Sequence, residues 1–156
     1  MMRITVISIG KLKESYWKEA EAEYLKRLSV FAKVEMIEHK EISFSEKDNV
    51  ESIKEKETEI IIKSLPPSSY IIALDPNGKN FTSEELSKNF ESLEQKNSHL
   101  TFIIGGPLGL HESIFKKTNL KLSLSTLTFT HQMTRVIILE QIYRAYMIKS
   151  GKSYHH

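Results

Sequence analysis

The sequence predicts an α/β layered fold with a mostly parallel sheet flanked by helices. Short apolar runs suited to buried strands alternate with longer segments of helical periodicity along the whole chain. Several of these runs end directly at a glycine or a turn signal. No internal repeat, low-complexity stretch or linker interrupts the 156 residues, so we expect a single domain spanning residues 1–156.

Five segments are predicted strands. Residues 3–9 alternate β-branched and small side chains and end at Gly10, whereas residues 34–37 form a shorter candidate. The runs 70–74 and 100–104 are continuously apolar, which is typical of strands covered on both faces. A last strand is predicted over residues 120–124.

Helical periodicity fills most of the intervals between these strands. A stripe of apolar residues predicts a helix over residues 15–31, and a second helix over 50–64 is stopped by two prolines. The run from Thr82 to Glu85 is a capping box that opens a third helix. A short helix over 112–117 and a long one over 132–149 follow, while the polar segment 38–49 is predicted to be a surface loop.

Composition narrows the functional classes. The chain is 40% hydrophobic and 27% charged, which is ordinary for a globular domain. No apolar run approaches a membrane span, and the N-terminus lacks the pattern of a signal peptide, so we expect a cytoplasmic protein. The absence of cysteine excludes disulfides and thiol catalysis. A net charge of only +2 means that any contact with RNA must be local.

Three predicted strand ends are candidates for a ligand site. In open parallel sheets, ligands bind beyond the carboxyl ends of the strands. These ends are Leu74, the pair Gly105-Gly106, and the loop after Leu124. The spacing Gly-Gly-x-x-Gly matches neither a dinucleotide fingerprint nor a phosphate loop. A purely structural turn is therefore an equally good interpretation of the glycines.

The loop over residues 125–134 mixes hydrogen-bonding side chains with two large apolar ones, Leu127 and Phe129. That mixture suits a flat heteroaromatic ring, with apolar contact on its faces and polar partners on its edges. The alternative is a helix N-cap region, since hydroxyl residues favour such caps. Composition alone favours the cap.

The last predicted helix is apolar almost all the way round, so it must be buried on two sides. We expect a second copy of the chain to cover one side, which predicts a homodimer. Glu140 and Arg144 form an i, i+4 pair in its polar sector. Arg135 lies among apolar positions, where a cation either extends to water or meets an anionic ligand. Its place in the first turn beside the loop favours the ligand.

The remaining charged residues give weaker signals. The six histidines show no metal-site spacing, and we expect no metal. His131 precedes the last helix, and Tyr154 and His155 could handle protons, although a frayed tail is the default for terminal residues. Lys11, Lys13, Lys26 and Arg27 are most simply solvated, with phosphate contact as the alternative.

Several motifs together resemble one family. They are Ile-Gly-Gly-Pro-Leu-Gly-Leu from Ile104, the run from Leu122 to Val136, Glu-Gln-Ile-Tyr-Arg-Ala-Tyr from Glu140, and Tyr154-His155. This combination, with Arg3 to Lys11 and Tyr16-Trp17, closely resembles the YbeA-like bacterial 23S rRNA pseudouridine N3-methyltransferases of the SPOUT superfamily. The resemblance covers the whole chain.

The resemblance implies a trefoil-knotted α/β fold, with the knotted part over about residues 70–150. It implies S-adenosyl-L-methionine as methyl donor and a homodimer whose active site uses both subunits. The implied substrate is 23S rRNA within the ribosome, methylated at N3 of a pseudouridine, with no membrane or metal involved. Carried over by position, the cofactor-binding residues are Leu74, Gly106, Ser125, Thr126, Leu127, Thr128, Phe129 and Thr130.

The resemblance and the residues together suggest catalytic roles. We expect Arg135 to stabilise developing negative charge, His131 or His155 to relay a proton, and Tyr154 to position the base. Two positions depart from the family pattern: members commonly have proline at Thr130 and a polar or acidic residue at Leu108. The alternatives are a SPOUT methyltransferase acting on tRNA and a non-catalytic ribosome-binding or assembly factor.

Overall fold

The structure, a computed structural model, describes residues 1–154. Its centre is a five-stranded sheet in the order β2-β1-β4-β3-β5, and every pair of neighbouring strands is parallel. The strands are β1 (Met2–Ile9), β2 (Ala32–His39), β3 (Tyr70–Asn80), β4 (His99–Ile104) and β5 (Leu120–Ser123). The predicted α/β class with a mostly parallel sheet is confirmed.

Four α-helices and one 3-10 helix connect the strands. They are α1 (Ser15–Leu28), α2 (Val50–Lys63), α3 (Ser83–Lys96), the 3-10 helix (Glu112–Lys116) and α4 (His131–Lys149). The predicted capping box of α3 is confirmed, because Thr82 accepts from the backbone of Glu85 and the Glu85 side chain accepts from Thr82. Helix α1 ends three residues earlier than predicted, and β2 is longer because all eight of its residues pair with β1.

The sheet separates two apolar cores, so the domain has three layers. On one face, α1, α3 and α4 pack over a large cluster that includes Leu28, Phe90, Phe102 and Ile142. On the other face, α2 and the 3-10 helix cover a smaller cluster built around Ile61 and Ile114. Burial of both faces explains why β4 is buried along its full length.

Strand β3 differs from its prediction in an informative way. The segment Asp75-Pro76-Asn77-Gly78 was predicted to end the strand as a turn, yet β3 resumes pairing with β5 at Lys79. The turn chemistry is present, since the Asn77 N–H donates to Asp75 Oδ1 at 2.9 Å. It makes a bulge, because Leu74 and Lys79 both pair with Leu122. The bulged residues therefore stand at the carboxyl end of the sheet.

Two further findings concern the described residues. Over residues 1–154, no helix combines the length and the apolar character needed to cross a membrane. The same residues contain no group of three or more His, Cys, Asp or Glu side chains that could hold a metal ion. The knot over residues 70–150 stays a prediction.

Candidate functional site

A crevice of about 1030 Å³ opens at the carboxyl edge of the sheet. Its walls come from the ends of β3, β4 and β5 and from the first turn of α4. The prediction that three strand ends meet in one place is therefore confirmed. The volume is at the upper end for small-molecule sites, which leaves room for a ligand larger than a single ring.

The glycine segment after β4 is a tight turn and also a wall of the crevice. The Gly109 N–H donates to the Gly106 carbonyl at 2.9 Å, and Gly109 has a φ of +83° that favours glycine. A Cβ on Gly106 would stand 3.0 Å from Ile9 Cγ2, so the turn packs closely on the end of β1. The structural interpretation of these glycines is thus correct, and Gly106 also lines the crevice.

The loop after β5 forms the opposite wall. Of its predicted cofactor-binding residues, all except Thr126 line the crevice. The loop is shaped by its own side chains, because the Ser123 hydroxyl donates to the Ser125 carbonyl and the Leu127 N–H donates to Ser125 Oγ. Leu127 is 71% exposed, and Phe129 is 37% exposed. Apolar surface is therefore available at the mouth of the crevice.

Thr130 is the N-cap of α4, so the alternative interpretation of this loop as a cap region is also correct. Its hydroxyl accepts from the Met133 N–H at 3.3 Å, and its φ is −62°. That φ is close to the value at which a proline ring would fix the backbone. The threonine at this position therefore keeps the backbone conformation that proline would impose and adds a capping hydrogen bond.

Among the predicted catalytic residues within 1–154, His131 lines the crevice, and Arg135 and Tyr154 do not. Its Nε2 is buried and has no hydrogen-bond partner within residues 1–154. The ring lies against Gly10, where a Cβ would stand 2.8 Å from Nε2; Gly10 itself has a φ of +95°. Since buried polar atoms are normally paired, this nitrogen is a candidate partner for a ligand.

The guanidinium of Arg135 pairs with carboxylates of its own chain, and its predicted catalytic role stays a prediction. The side chain is 3% exposed and is absent from the crevice lining. Nε and Nη2 donate to the two carboxylate oxygens of Glu21 at 2.9 Å each, and Nη1 donates to Glu38 at 2.5 Å. The anion that this cation meets is thus supplied by α1 and β2 of its own chain.

Glu21 and Arg135 form a buried ion pair near the first turn of α4. Burial raises the pKa of the Glu21 carboxyl, and the charge and hydrogen bonds of Arg135 act in the opposite direction. Nη1 of Arg135 also reaches the Gly10 carbonyl at 3.4 Å. The cluster therefore joins α1, β2 and the turn after β1 to the helix turn that presents His131.

Tyr154 follows α4 in sequence and packs back against the middle of that helix, and it does not line the crevice. Its ring packs edge-on against Tyr143 at 5.0 Å, and Arg144 stacks over it at 4.9 Å. Its hydroxyl donates to Glu140 at 3.4 Å. Burial, followed by a hydrogen bond with Tyr24, raises the pKa of Tyr154 to about 12. A single chain therefore does not bring Tyr154 to His131, and His155 lies outside the described residues.

Some residues at the site were missed by sequence reasoning. Glu51 and Lys54 of α2 line the crevice, and their charges had given no signal beyond an ordinary solvated helix. Glu57 was detectable, because it interrupts an apolar stripe. It is 3% exposed, accepts from the Ile42 N–H at 3.0 Å and lies under Gly106. Burial raises the pKa of Glu57.

Comparison with known proteins agrees with this geometry. A family model described as predicted SPOUT methyltransferase matches residues 2–155. The chain is also 48% identical, over 159 residues, to Ribosomal RNA large subunit methyltransferase H of Clostridium botulinum (strain Alaska E43 / Type E3). That alignment covers 99% of each chain. A match of this extent leaves no part of the fold outside the family: the chain belongs to the SPOUT methyltransferases.

Proposed function

We propose that this chain is an S-adenosyl-L-methionine-dependent methyltransferase that methylates N3 of a pseudouridine in 23S rRNA on the ribosome. The observation that carries the proposal is the convergence of three strand ends and the start of α4 in one crevice. The similarity to a ribosomal RNA large subunit methyltransferase supports the substrate class. Because that substrate is ribosomal, we place the protein in the cytoplasm.

The crevice has the chemistry that this donor requires. Leu74, Leu127 and Phe129 offer apolar surface for an adenine ring, and the backbone of the 125–130 loop and of Gly106 offers partners for its edges. Lys54 and Glu51 line the same crevice and pair with each other at 3.3 Å, and they are groups that the charged ends of an amino acid would take as partners. When bound, the donor supplies a methyl group on a positively charged sulfur.

We propose a homodimer in which α4 is covered by a second copy. Its buried side, which includes Ile138, Leu139 and Ile142, faces the sheet, whereas Val136, Ile137 and Ile148 remain only half-buried. Met133 at its start is 36% exposed, and the neighbouring Leu127 and Phe129 are also exposed. A partner packed here would cover an apolar surface that continues to the mouth of the crevice.

The second copy also offers a way to complete the active site. His131 lies at the crevice. The Tyr154 hydroxyl donates to Glu140, which is about nine residues further along α4 than His131, or about 14 Å along the helix axis. In a two-fold dimer, the Tyr154 region of one subunit can approach the crevice of the other. We propose that Tyr154 and His155 act in this way, from the partner.

The reaction forms a bond between N3 of the base and the methyl carbon as the carbon–sulfur bond breaks, and the proton on N3 must leave. We propose that Nε2 of His131 accepts that proton, because it has no hydrogen-bond partner within residues 1–154 and belongs to a residue that lines the crevice. The catalytic role of Arg135 stays a prediction, and it would require release from Glu21 and Glu38. As placed, Arg135 is a positioning residue that holds the first turn of α4.

The test is transfer of a labelled methyl group to ribosomes from a strain that lacks the gene, followed by mapping of the modified nucleotide. We expect label at N3 of a single pseudouridine in 23S rRNA. Label appearing in bulk tRNA instead would identify a different substrate. Calorimetry with S-adenosylhomocysteine completes the design, because absence of binding would favour a non-catalytic ribosome-binding factor.

A His131→Ala variant tests the proton acceptor, with Arg27→Ala as a surface control on α1. We expect turnover to fall about a hundredfold in the His131 variant, with S-adenosylhomocysteine affinity nearly unchanged. The pH–rate profile should change too, because the loss of rate at low pH that comes from protonating a general base should disappear with that base. Unaltered turnover and profile would remove His131 from the mechanism.

A further inference from the structure

The turn after β1 carries an exposed group of cations and an aromatic ring that the methyl-donor crevice does not use. Lys11, Lys13 and Lys18 are exposed, and Tyr16 is 59% exposed. We call these four residues the β1-turn patch. Singly exposed aromatic rings are common, but this one shares a segment of eight residues with three exposed lysines.

The patch is held rigidly. Leu12, between the two lysines, is 5% exposed and anchors the turn in the core. The Gly10 N–H donates to the His39 carbonyl at 2.8 Å, which fixes the turn to β2. The Tyr16 ring packs edge-on against Trp17, with ring centroids 5.2 Å apart. A ring held in this way loses little freedom when another planar group stacks on it.

The patch also adjoins the crevice. The Lys13 N–H donates to Gln132 Oε1 at 2.9 Å, and Gln132 lines the crevice next to His131. A strand whose reacting base entered the crevice at His131 would therefore leave it over this turn. The lysines and Tyr16 are thus placed where the nucleotides flanking the target would run.

The charge of the patch favours a polyanion over a second copy of the chain. Within residues 11–18 the three lysines outnumber the one acid, Glu14, one of whose carboxylate oxygens is buried. Two further acids are close, since Glu19 follows Lys18 and Glu41 Oε2 lies 3.4 Å from the Cβ position of Gly10. A two-fold contact of the patch with itself would bring like charges together, which is unfavourable. Phosphates with unstacked bases match both the lysines and the ring.

We propose that the β1-turn patch binds a single-stranded segment of the RNA substrate beside the target nucleotide. A base stacks on Tyr16, and the flanking phosphates contact Lys11 and Lys13. This inference rests on the proposed function, because it assumes that RNA is the substrate. Because the net charge is only +2, any contact with RNA must be local, and the inference assigns that contact to this surface.

The test compares Tyr16→Ala, Tyr16→Phe and the double variant Lys11→Ala/Lys13→Ala in steady-state methylation of ribosomes. We expect Tyr16→Ala to raise KM for ribosomes about tenfold and Tyr16→Phe to restore it, because stacking needs the ring and not the hydroxyl. The lysine variant should raise KM. It should also make the slope of log KM against log salt concentration shallower, by an amount that corresponds to roughly one to two phosphate contacts. Affinity for S-adenosylhomocysteine should stay the same in all three.

The control is Val30→Ala/Lys33→Ala, which removes an exposed apolar side chain and a lysine near the amino end of β2. Wild-type KM in the Tyr16 and lysine variants would overturn the inference while leaving the methyltransferase proposal intact. Loss of the dimer on sedimentation of Tyr16→Ala would overturn it too, by showing that a second copy covers the ring.

Failure of the proposed function is distinguished by a second readout, fluorescence anisotropy with a labelled single-stranded oligoribonucleotide. If the wild-type chain methylates no ribosomal RNA, the proposed function fails on its own evidence. The anisotropy measurement then tests the proposed RNA binding by the β1-turn patch on its own. Weaker binding by Tyr16→Ala but not by Tyr16→Phe supports it, and equal binding by all variants overturns it.

Discussion

Two histidines, one at the amino ends and one near the carboxyl ends of the strands, show how this domain separates stability from function. At the amino edge, His99 is 6% exposed, and its Nε2 is paired with the Thr5 hydroxyl at 2.8 Å. At the carboxyl edge, His131 has a buried Nε2 with no partner within the described residues. The histidine at the amino end is paired within the chain, whereas the one at the carboxyl end has a polar atom without a partner in the described residues.

What surrounds each histidine explains the difference. The amino edge is closed by short links between strands, such as the Ser69 hydroxyl with Thr101 at 2.5 Å. The carboxyl edge is built from a glycine turn, a bulge in β3 and a loop of hydroxyl residues, which hold walls apart around a crevice. An open edge with unpaired groups is where a ligand and a second subunit can act.

The largest effect should come from completing the carboxyl edge with a partner. We expect Tyr154→Ala to lower turnover by about two orders of magnitude, because a misplaced base reacts poorly. We expect Gly105→Val to abolish donor binding, since a Cβ there would stand 2.9 Å from the backbone carbon of Gly109.

Mixing these two inactive variants after dissociation tests whether the site is shared. Each mixed dimer would hold one intact crevice facing one intact Tyr154, so about a quarter of the wild-type activity should return. Each variant alone, treated identically, is the control. If the mixture stays inactive although mixed dimers form, Tyr154 does not act on the partner's crevice.

The next effect concerns the cluster beneath His131. Arg135→Ala leaves the carboxylates of Glu21 and Glu38 without their cation, so we expect the free energy of unfolding to fall by about 3 kcal/mol. Urea denaturation measures this. Arg27→Ala, which breaks an ion pair whose side chains are 40% and 50% exposed, should cost far less. Equal losses in the two variants would contradict the structural role of Arg135.

A smaller effect is expected at the cap of α4, which sets the orientation of His131. Thr130→Ala should lower the free energy of unfolding by about 1 kcal/mol, because the Met133 N–H loses its acceptor. Thr130→Pro should lower it less and leave S-adenosylhomocysteine affinity unchanged, because φ is already −62°. Calorimetry that showed loss of affinity only in the proline variant would contradict this view of the loop.

The smallest effect tests the closed edge. Burial, and then the nearby charge of Arg3, lowers the pKa of His99. Its contribution to stability is therefore complete above the unfolded value of about 6.5 and is lost as the pH falls below it. We expect the melting temperature to drop between pH 7.5 and pH 5.5, and to drop less in His99→Gln. An identical drop in both would show that His99 does not control this slope.

The order of strands and helices could be predicted because it depends on local patterns: apolar runs, the Thr82 capping box and the glycines at strand ends. The meeting of Leu74, Gly106 and the 125–130 loop followed from the rule for parallel sheets. The partners of Arg135 could not be predicted, because Glu21 and Glu38 are more than 90 residues away in sequence and look like solvated charges.

The β3 bulge was also missed, since a Pro-Asn-Gly segment gives the same turn signal whether the strand ends or resumes. Which strand it rejoins depends on β5, more than 40 residues later. Tyr154 and His131 were both predicted to be catalytic because of the motifs in which they occur. In a single chain, however, His131 lines the crevice and Tyr154 does not. In the proposed dimer the two residues would meet across the subunit interface, and local sequence patterns say little about such a contact.

The most direct test is a crystal structure of the chain with S-adenosylhomocysteine. We expect its adenine to lie between Leu74 and the 125–130 loop, within a dimer that packs through α4 and brings the partner's Tyr154 towards the crevice. An empty crevice with the ligand bound elsewhere on the domain would contradict the account.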